Sequence, residues 1–380
     1  QITGAVNYQN QLIQQVVQLP AELAGGEPGT FIEAVFGQPQ QVNAAATLRQ
    51  QIFDGSYIVG VQATKAFLSY SANNKEKTAL EVRKQVVEAY GNVLLAKESV
   101  AILEKNKATL ERNLYETSKL FENGLGDEES VDQLQITLSS VENQLNNALR
   151  LREITVQILN ISMGLDLTAP TQLQENLEDL TVSKIDFGIL NTAFNISDNV
   201  DYKLAENLNQ QRFYEWKLAR SRALPTLNAF ASYGALSFGE QFSFFDNGQD
   251  WFEFSTIGVD LSIPIFSSLK RSASTQRAKI ALEKAKTQLT EAEQQIRLQL
   301  ESAKNNYTLA IDNYQTAKQN LALSERIENK NQIKYTEGLA TSFELRQAQT
   351  QLYSAQQEYL QNMVEVITKK TELEIVLNEK

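Results

Sequence analysis

The sequence predicts a mainly α-helical chain with transmembrane β-strands, built as a tandem repeat of a β-hairpin followed by a long helical hairpin. Three observations lead there. Two tracts carry apolar residues at coiled-coil spacing, the tracts superimpose at one constant offset, and each follows segments that alternate apolar and polar side chains.

The first hairpin occupies residues 1–53. Ile2, Val6, Tyr8 and Leu12 alternate with Thr3, Asn7, Gln9 and Gln11. In the second strand Val42, Ala44, Ala46, Leu48 and Ile52 fall on one face. Gln41, Asn43, Thr47, Arg49 and Gln51 fall on the other. Alternation of period two gives one apolar and one polar face. The intervening segment holds Gly25, Gly26, Pro28 and Gly29 and reads as an exposed loop.

The first helical hairpin occupies 54–165. From Ala79 through Val82, Val86, Ala89, Val93, Ala96, Val100 and Leu103 to Leu110, Leu114 and Phe121 the apolar spacing alternates three and four. That is a coiled-coil seam, interrupted at Lys107 and Thr117. No proline lies between Asp54 and Phe121, so one helix of roughly 100 Å is expected. A glycine turn follows, then a return helix carrying Val131, Leu134, Leu138, Val141 and Leu145. Residues 166–224 form a linker whose Val200–Ala223 stretch reads as a helix.

The second hairpin spans 225–265. Its strand from Thr226 to Phe238 alternates less clearly, whereas Ile257, Val259, Leu261 and Ile263 alternate with Thr256, Gly258, Asp260 and Ser262. Tyr8, Phe230, Tyr233, Phe238, Trp251, Phe252 and Phe254 are candidates for an aromatic girdle. The second helical hairpin, 266–380, repeats the seam at Leu282, Ala285, Leu289, Ala292, Ile296, Leu300, Ala303, Tyr307, Ala310, Tyr314, Ala317 and Leu321. It returns through Leu345, Ala348, Leu352, Ala355 and Tyr359.

A shift of 214 residues carries Gln62, Lys65 and Ala89 onto Gln276, Lys279 and Ala303, and Gly124-Leu125 onto Gly338-Leu339. One offset holds across both turns, which marks duplication of a large unit rather than a solenoid of short repeats. Between the strands the first copy is longer by about a dozen residues, as expected of a loop insertion. Polar faces rich in Gln, Asn and Thr suit the lumen of a membrane barrel, and such barrels need at least about eight strands. Four strands per chain therefore predict that several copies share one barrel.

Composition removes whole classes of function. There is no cysteine and no histidine, the formal net charge is −11, and no basic stripe is present. Disulfides, Cys/His metal sites, thiolate and imidazole chemistry and nucleic-acid binding are not expected. No run of about 20 apolar residues forms a transmembrane helix. No phosphate-binding loop or nucleophile elbow occurs, so neither an enzyme nor a cofactor is expected.

The doubled order of strand, loop, strand, long helix, Gly-Leu turn and return helix resembles the TolC family of outer-membrane efflux proteins. Gln51-Ile52-Phe53-Asp54-Gly55 and Ile263-Pro264-Ile265-Phe266 carry the resemblance where strand gives way to helix. Asn123-Gly124-Leu125-Gly126, Glu337-Gly338-Leu339-Ala340 and Leu224-Pro225-Thr226-Leu227 carry it elsewhere. The resemblance implies a homotrimer: a twelve-stranded β-barrel in outer-membrane lipid on a twelve-helix α-barrel in the periplasm of a Gram-negative bacterium. It implies two partners, a periplasmic adaptor (membrane fusion protein) and an inner-membrane pump of RND or ABC type. The implied function is the exit duct of a tripartite efflux or type I secretion system. In this family a helix precedes each first strand, and no counterpart of Val200–Ala223 precedes Ile2. The chain is thus expected to begin inside the first repeat, with the true N-terminus, lipid-modified in some members, outside it.

Three groups of working residues are expected. Gly124, Leu125, Gly126, Gly338, Leu339 and Ala340 form the adaptor-docking tips, or ordinary helix caps with their hydrophobic contact. Asp127, Glu128, Glu129, Asp132 and Glu344 form an acidic pore constriction, or solvated helix starts. Arg49 and Asp260 line the barrel lumen or pair across strands. A secreted flagellin-like or coiled-coil structural protein is the alternative; it requires neither the duplication nor the strands.

Overall fold

The computed structural model describes residues 1–379. The chain divides into two compact units, Gln1–Ala66 with Gln210–Lys284 and Phe67–Asn209 with Ala285–Lys380. Among the described residues no helix is long and apolar enough to cross a membrane.

The first unit is built on one antiparallel sheet in the order β1 (Ile2–Asn10), β4 (Gln40–Asp54), β5 (Thr226–Gly239), β6 (Phe252–Ser262). The long insertion between β1 and β4 is not merely a loop. It folds into a second hairpin of β2 (Val16–Pro20) and β3 (Phe31–Val35), closed by a 3-10 turn at Ala21–Ala24. Apolar runs on both sides of the glycine-rich tip permit the pairing.

Register assigns every sheet residue to a face, because directly paired residues share one. Ile2 pairs with Leu48, Leu48 with Ala231 and Ala231 with Ile257. This face also carries Val6, Ala44, Ala46, Tyr233, Val259 and Leu261. Its larger members are open to the surroundings, with Ile2 76%, Val6 74% and Ile257 87% exposed. Such a face is not the buried side of a soluble sheet. The opposite face presents Thr3, Asn7, Asn43, Thr47, Arg49, Asn228, Ser232, Thr256 and Asp260.

Two expectations are corrected here. Gln51 stands opposite Asn228 and Phe53 opposite Leu227, so Ile52 is the extra residue of a β-bulge. One inserted residue exchanges the faces, and Phe53 rather than Ile52 continues the apolar side. The aromatic girdle also divides. Tyr8 and Tyr233 lie on the apolar face, whereas Phe230, Phe238, Phe252 and Phe254 lie on the polar one. That is why β5 alternates poorly as a sequence. A Cβ on Gly258 would meet the Phe230 ring at 2.6 Å, and one on Gly234 would meet the Phe254 ring at 2.8 Å. Each ring thus lies over a glycine on the neighbouring strand, replacing the missing side chain. At the end of the sheet away from the helices, Tyr8 packs edge-on against Phe242 and Phe244 of the β5–β6 connection.

The second unit holds α1 (Gly55–Glu122), α2 (Glu128–Ser162), α3 (Leu177–Lys184), α5 (Lys270–Thr336) and α6 (Ser342–Leu377) in large part, and the start of α4 (Val200–Ser221). The α1 seam is buried from Ala89 to Val100 and again at Leu110, against Leu134, Leu138, Val141 and Leu159 of α2. It frays at both ends, where Val82 and Phe121 are exposed. The α5 seam packs Leu300, Ala303, Tyr307, Ala310, Tyr314 and Ala317 with Tyr359, Leu360, Met363 and Ile367 of α6. Leu94 and Ile311, each fully buried beside a seam residue, give α1 and α5 a second contact face. A helix with two adjacent apolar stripes belongs to a packed wall rather than a two-helix coil.

Candidate functional site

Both hairpins of the second unit end alike. Gly124 has φ 75° and Gly338 φ 73°, the left-handed region that favours glycine. The Gly124 N–H donates to Phe121 O and the Leu125 N–H to Leu120 O; Gly338 and Leu339 do the same to Tyr335 and Lys334. These paired bonds are Schellman caps. Such a cap ordinarily tucks its next apolar residue against the last turn of the helix. Leu125 and Leu339 do not tuck in: they stay 77% and 78% exposed. Gly126 and Ala340 complete the two tips.

The acids after the first tip divide by role. The Asp127 carboxylate accepts from the Ser130 N–H at 2.7 Å and caps α2. Those bonds from Ser130 hold its carboxyl below the usual carboxylate range. Glu129 accepts from Gln133 at 2.9 Å. Glu344 closes a capping box with Thr341, which likewise lowers its pKa. Glu128 and Asp132 remain exposed, without a side-chain partner among the described residues.

Polar contacts tie one hairpin to the other along their tip-ward halves, and no residue pattern announces them. Asn113 and Gln332 exchange two amide hydrogen bonds, at 2.8 and 3.1 Å. Thr117, an interruption of the seam, meets the Tyr335 hydroxyl at 2.8 Å. The Ser130 and Ser342 hydroxyl oxygens meet at 3.0 Å. Asn106 donates to Gln356 at 2.9 Å. Within the first hairpin Lys107, the other interruption, reaches Glu142 of α2 at 2.9 Å. Paired polar residues within helix periodicity could have suggested such ties, but nothing in one sequence assigns partners more than two hundred residues apart.

In the first unit Arg49 and Asp260 share the polar face but do not pair. β5 stands between their strands, Arg49 opposite Phe230 and Asp260 opposite Asn228. Both border one cleft of about 580 Å³ at the helix end of the sheet, with Gln51, Asp54 and Phe230.

An exposed apolar sheet face backed by a polar one, with four strands and open edges, defines a barrel-forming membrane protein that carries two capped coiled-coil hairpins. The chain matches the outer membrane efflux protein family over residues 5–165 and 199–379, and it belongs to that family. It is an outer-membrane protein that extends into the periplasm. It is 22% identical over 321 residues to the alkaline protease secretion protein AprF of Pseudomonas aeruginosa, covering 82% of this chain and 64% of that protein. It is 23% identical over 324 residues to the outer membrane protein TolC of Vibrio cholerae, covering 83% of this chain and 71% of that protein. The chain thus spans about two thirds of the length of these relatives. Its fold resembles the outer membrane protein VceC of Vibrio cholerae, with a TM-score of 0.73 at 15% identity over 99% of this chain and 86% of the other.

Proposed function

We propose that three copies of this chain close one twelve-stranded barrel continued by a twelve-helix tunnel. The assembly is a passive exit duct for efflux or type I secretion, receiving its cargo from a periplasmic adaptor and an inner-membrane pump. The observation that carries this reading is the four-stranded sheet. It has one exposed apolar face, one polar face and two open edges, and only closure with further copies pairs those edges while turning the apolar side to lipid. Three copies supply twelve strands, within the range of closed outer-membrane barrels. The two capped tips with exposed leucines are the docking points for the adaptor. Glu128 and Asp132, unengaged by caps, are the acids that line the constriction; Arg49 and Asp260 line the lumen of the barrel.

The test is the mass of the detergent-solubilised particle, followed by its conductance in a planar bilayer. The expected mass is three times 42.7 kDa plus detergent. The expected channel prefers cations, and Glu128→Gln with Asp132→Asn weakens that preference. A detergent-independent monomer overturns the duct, and an anion-selective channel overturns the acidic constriction.

A further inference from the structure

The C-terminal half of α4, which belongs to the first unit together with the sheet, carries a cluster that the duct reading leaves unused. Phe213 packs on Tyr214 and Trp216, with ring centroids 5.6 and 6.0 Å apart. Lys217 Nζ stands 4.7 Å from the Phe213 ring and 5.7 Å from Tyr214. The Arg220 guanidinium stands 4.9 Å from Trp216. Positions 213, 216, 217 and 220 form one stripe at helical spacing. Glu215, the one acid between Gln210 and Arg222, is taken by Arg212 at 2.7 Å. Neither Lys217 nor Arg220 meets a carboxylate among the described residues. This stretch therefore has four basic residues against one acid, in a chain whose formal net charge is −11.

The position of the cluster is fixed by its neighbours. The Ser221 hydroxyl donates to Ser56 Oγ at 3.4 Å, and Thr275 Oγ1 donates to Ala219 O at 3.4 Å. Ser56 follows the end of β4 by two residues, and Ser221 precedes the start of β5 by five. Trp216 lies about 8 Å down the helix from Ser221. The stripe therefore sits beneath the helix end of the sheet, at the level where the exposed apolar face, read as the membrane side, ends. Amphipathic rings beside cations are the side chains that suit that layer. A cation in the last turn would compensate the helix dipole, but three aromatic rings do nothing for it.

We infer that Phe213, Trp216, Lys217 and Arg220 form a binding site for the headgroup of an anionic phospholipid in the inner leaflet. The rings lie in the interfacial layer and the two cations take the phosphate. This site rests on the sheet being the membrane element, and the experiment separates the two claims. Each chain has two tryptophans, Trp216 and Trp251, so Trp251→Phe leaves one fluorophore at the site. The trimer is reconstituted in bilayers of brominated phosphatidylglycerol or brominated phosphatidylethanolamine, with bromines at shallow or deep chain positions.

Shallow bromines quench Trp216 more than deep ones. Phosphatidylglycerol competes for the site better, by roughly fivefold for each cation, and Lys217→Gln with Arg220→Gln removes that preference. Trp216 unquenched by any brominated lipid overturns the site, as does equal quenching by both headgroups that is indifferent to the double substitution. A reporter Ile257→Trp, with both native tryptophans replaced by phenylalanine, tests the sheet itself, because Ile257 is 87% exposed on the apolar face. Quenching of that reporter with none at Trp216 rejects the lipid site alone. No quenching of either rejects the membrane sheet.

Discussion

Asn113 of α1 and Gln332 of α5 exchange two amide hydrogen bonds, at 2.8 and 3.1 Å, across the two helical hairpins. Asn113 is 3% exposed and Gln332 is half-buried, so water replaces the lost partner only in part. Asn113→Ala strands the Gln332 amide and is expected to cost about 1–3 kcal/mol. Replacing both residues by leucine costs less than the single change. Denaturant midpoints of the three variants in detergent, read by helical circular dichroism, check the order.

The tip of the first hairpin should respond to acid. The Asp127 carboxyl lies below its ordinary range because the Ser130 N–H and hydroxyl bond its ionised form. A depressed carboxylate contributes stability above its unfolded value, which is near 4, and loses it as pH falls through the folded value. Protection of the Ser130 amide from hydrogen exchange should therefore fall on acidification below pH 4. Asp127→Asn keeps the cap and abolishes that acid dependence, whereas Asp127→Ala lowers protection at every pH.

Gly124 and Gly338 are expected to resist replacement for a local reason. No neighbouring atom lies within 4 Å of a Cβ built at either, so space is not the obstacle. The positive φ is, and alanine there costs about 1–2 kcal/mol. The loss should appear as faster exchange at the Leu125 and Leu339 amides, with the mass of the assembly unchanged.

Leu125→Asp with Leu339→Asp tests the docking points. Both side chains point into the surroundings, so the substitution leaves the helical packing intact. Export is expected to fall to background while trimer and membrane insertion persist. Unchanged export with both tips charged removes the tips from the docking surface.

Much of this fold is legible in the sequence because its elements are long and periodic. The α5 seam read from Leu282 to Ala317 is the one that packs, and Gly124 and Gly338 terminate helices where the repeat places them. What escapes the sequence is whatever depends on a partner strand or helix. The bulge at Ile52 exists only against Leu227 and Asn228. Phe230 and Phe254 read as girdle residues until register sets them over Gly258 and Gly234. Lys107 and Thr117 look like defects in a seam until Glu142 and Tyr335 are beside them. The candidate sites show the same division. The acidic run is plain as composition, but only the geometry separates Asp127 and Glu344, which cap helices, from Glu128 and Asp132, which do not.

The unpaired outer edges of β1 and β6 also govern how the protein is made. A newly exported copy cannot complete its own ladder, so its rows of free N–H and C=O groups stay open to any extended peptide that adds as a strand. On the proposed trimer, completion is a meeting of three molecules, and its rate falls steeply as copies become scarce. A scarce chain would then keep its open edges longer than an abundant one.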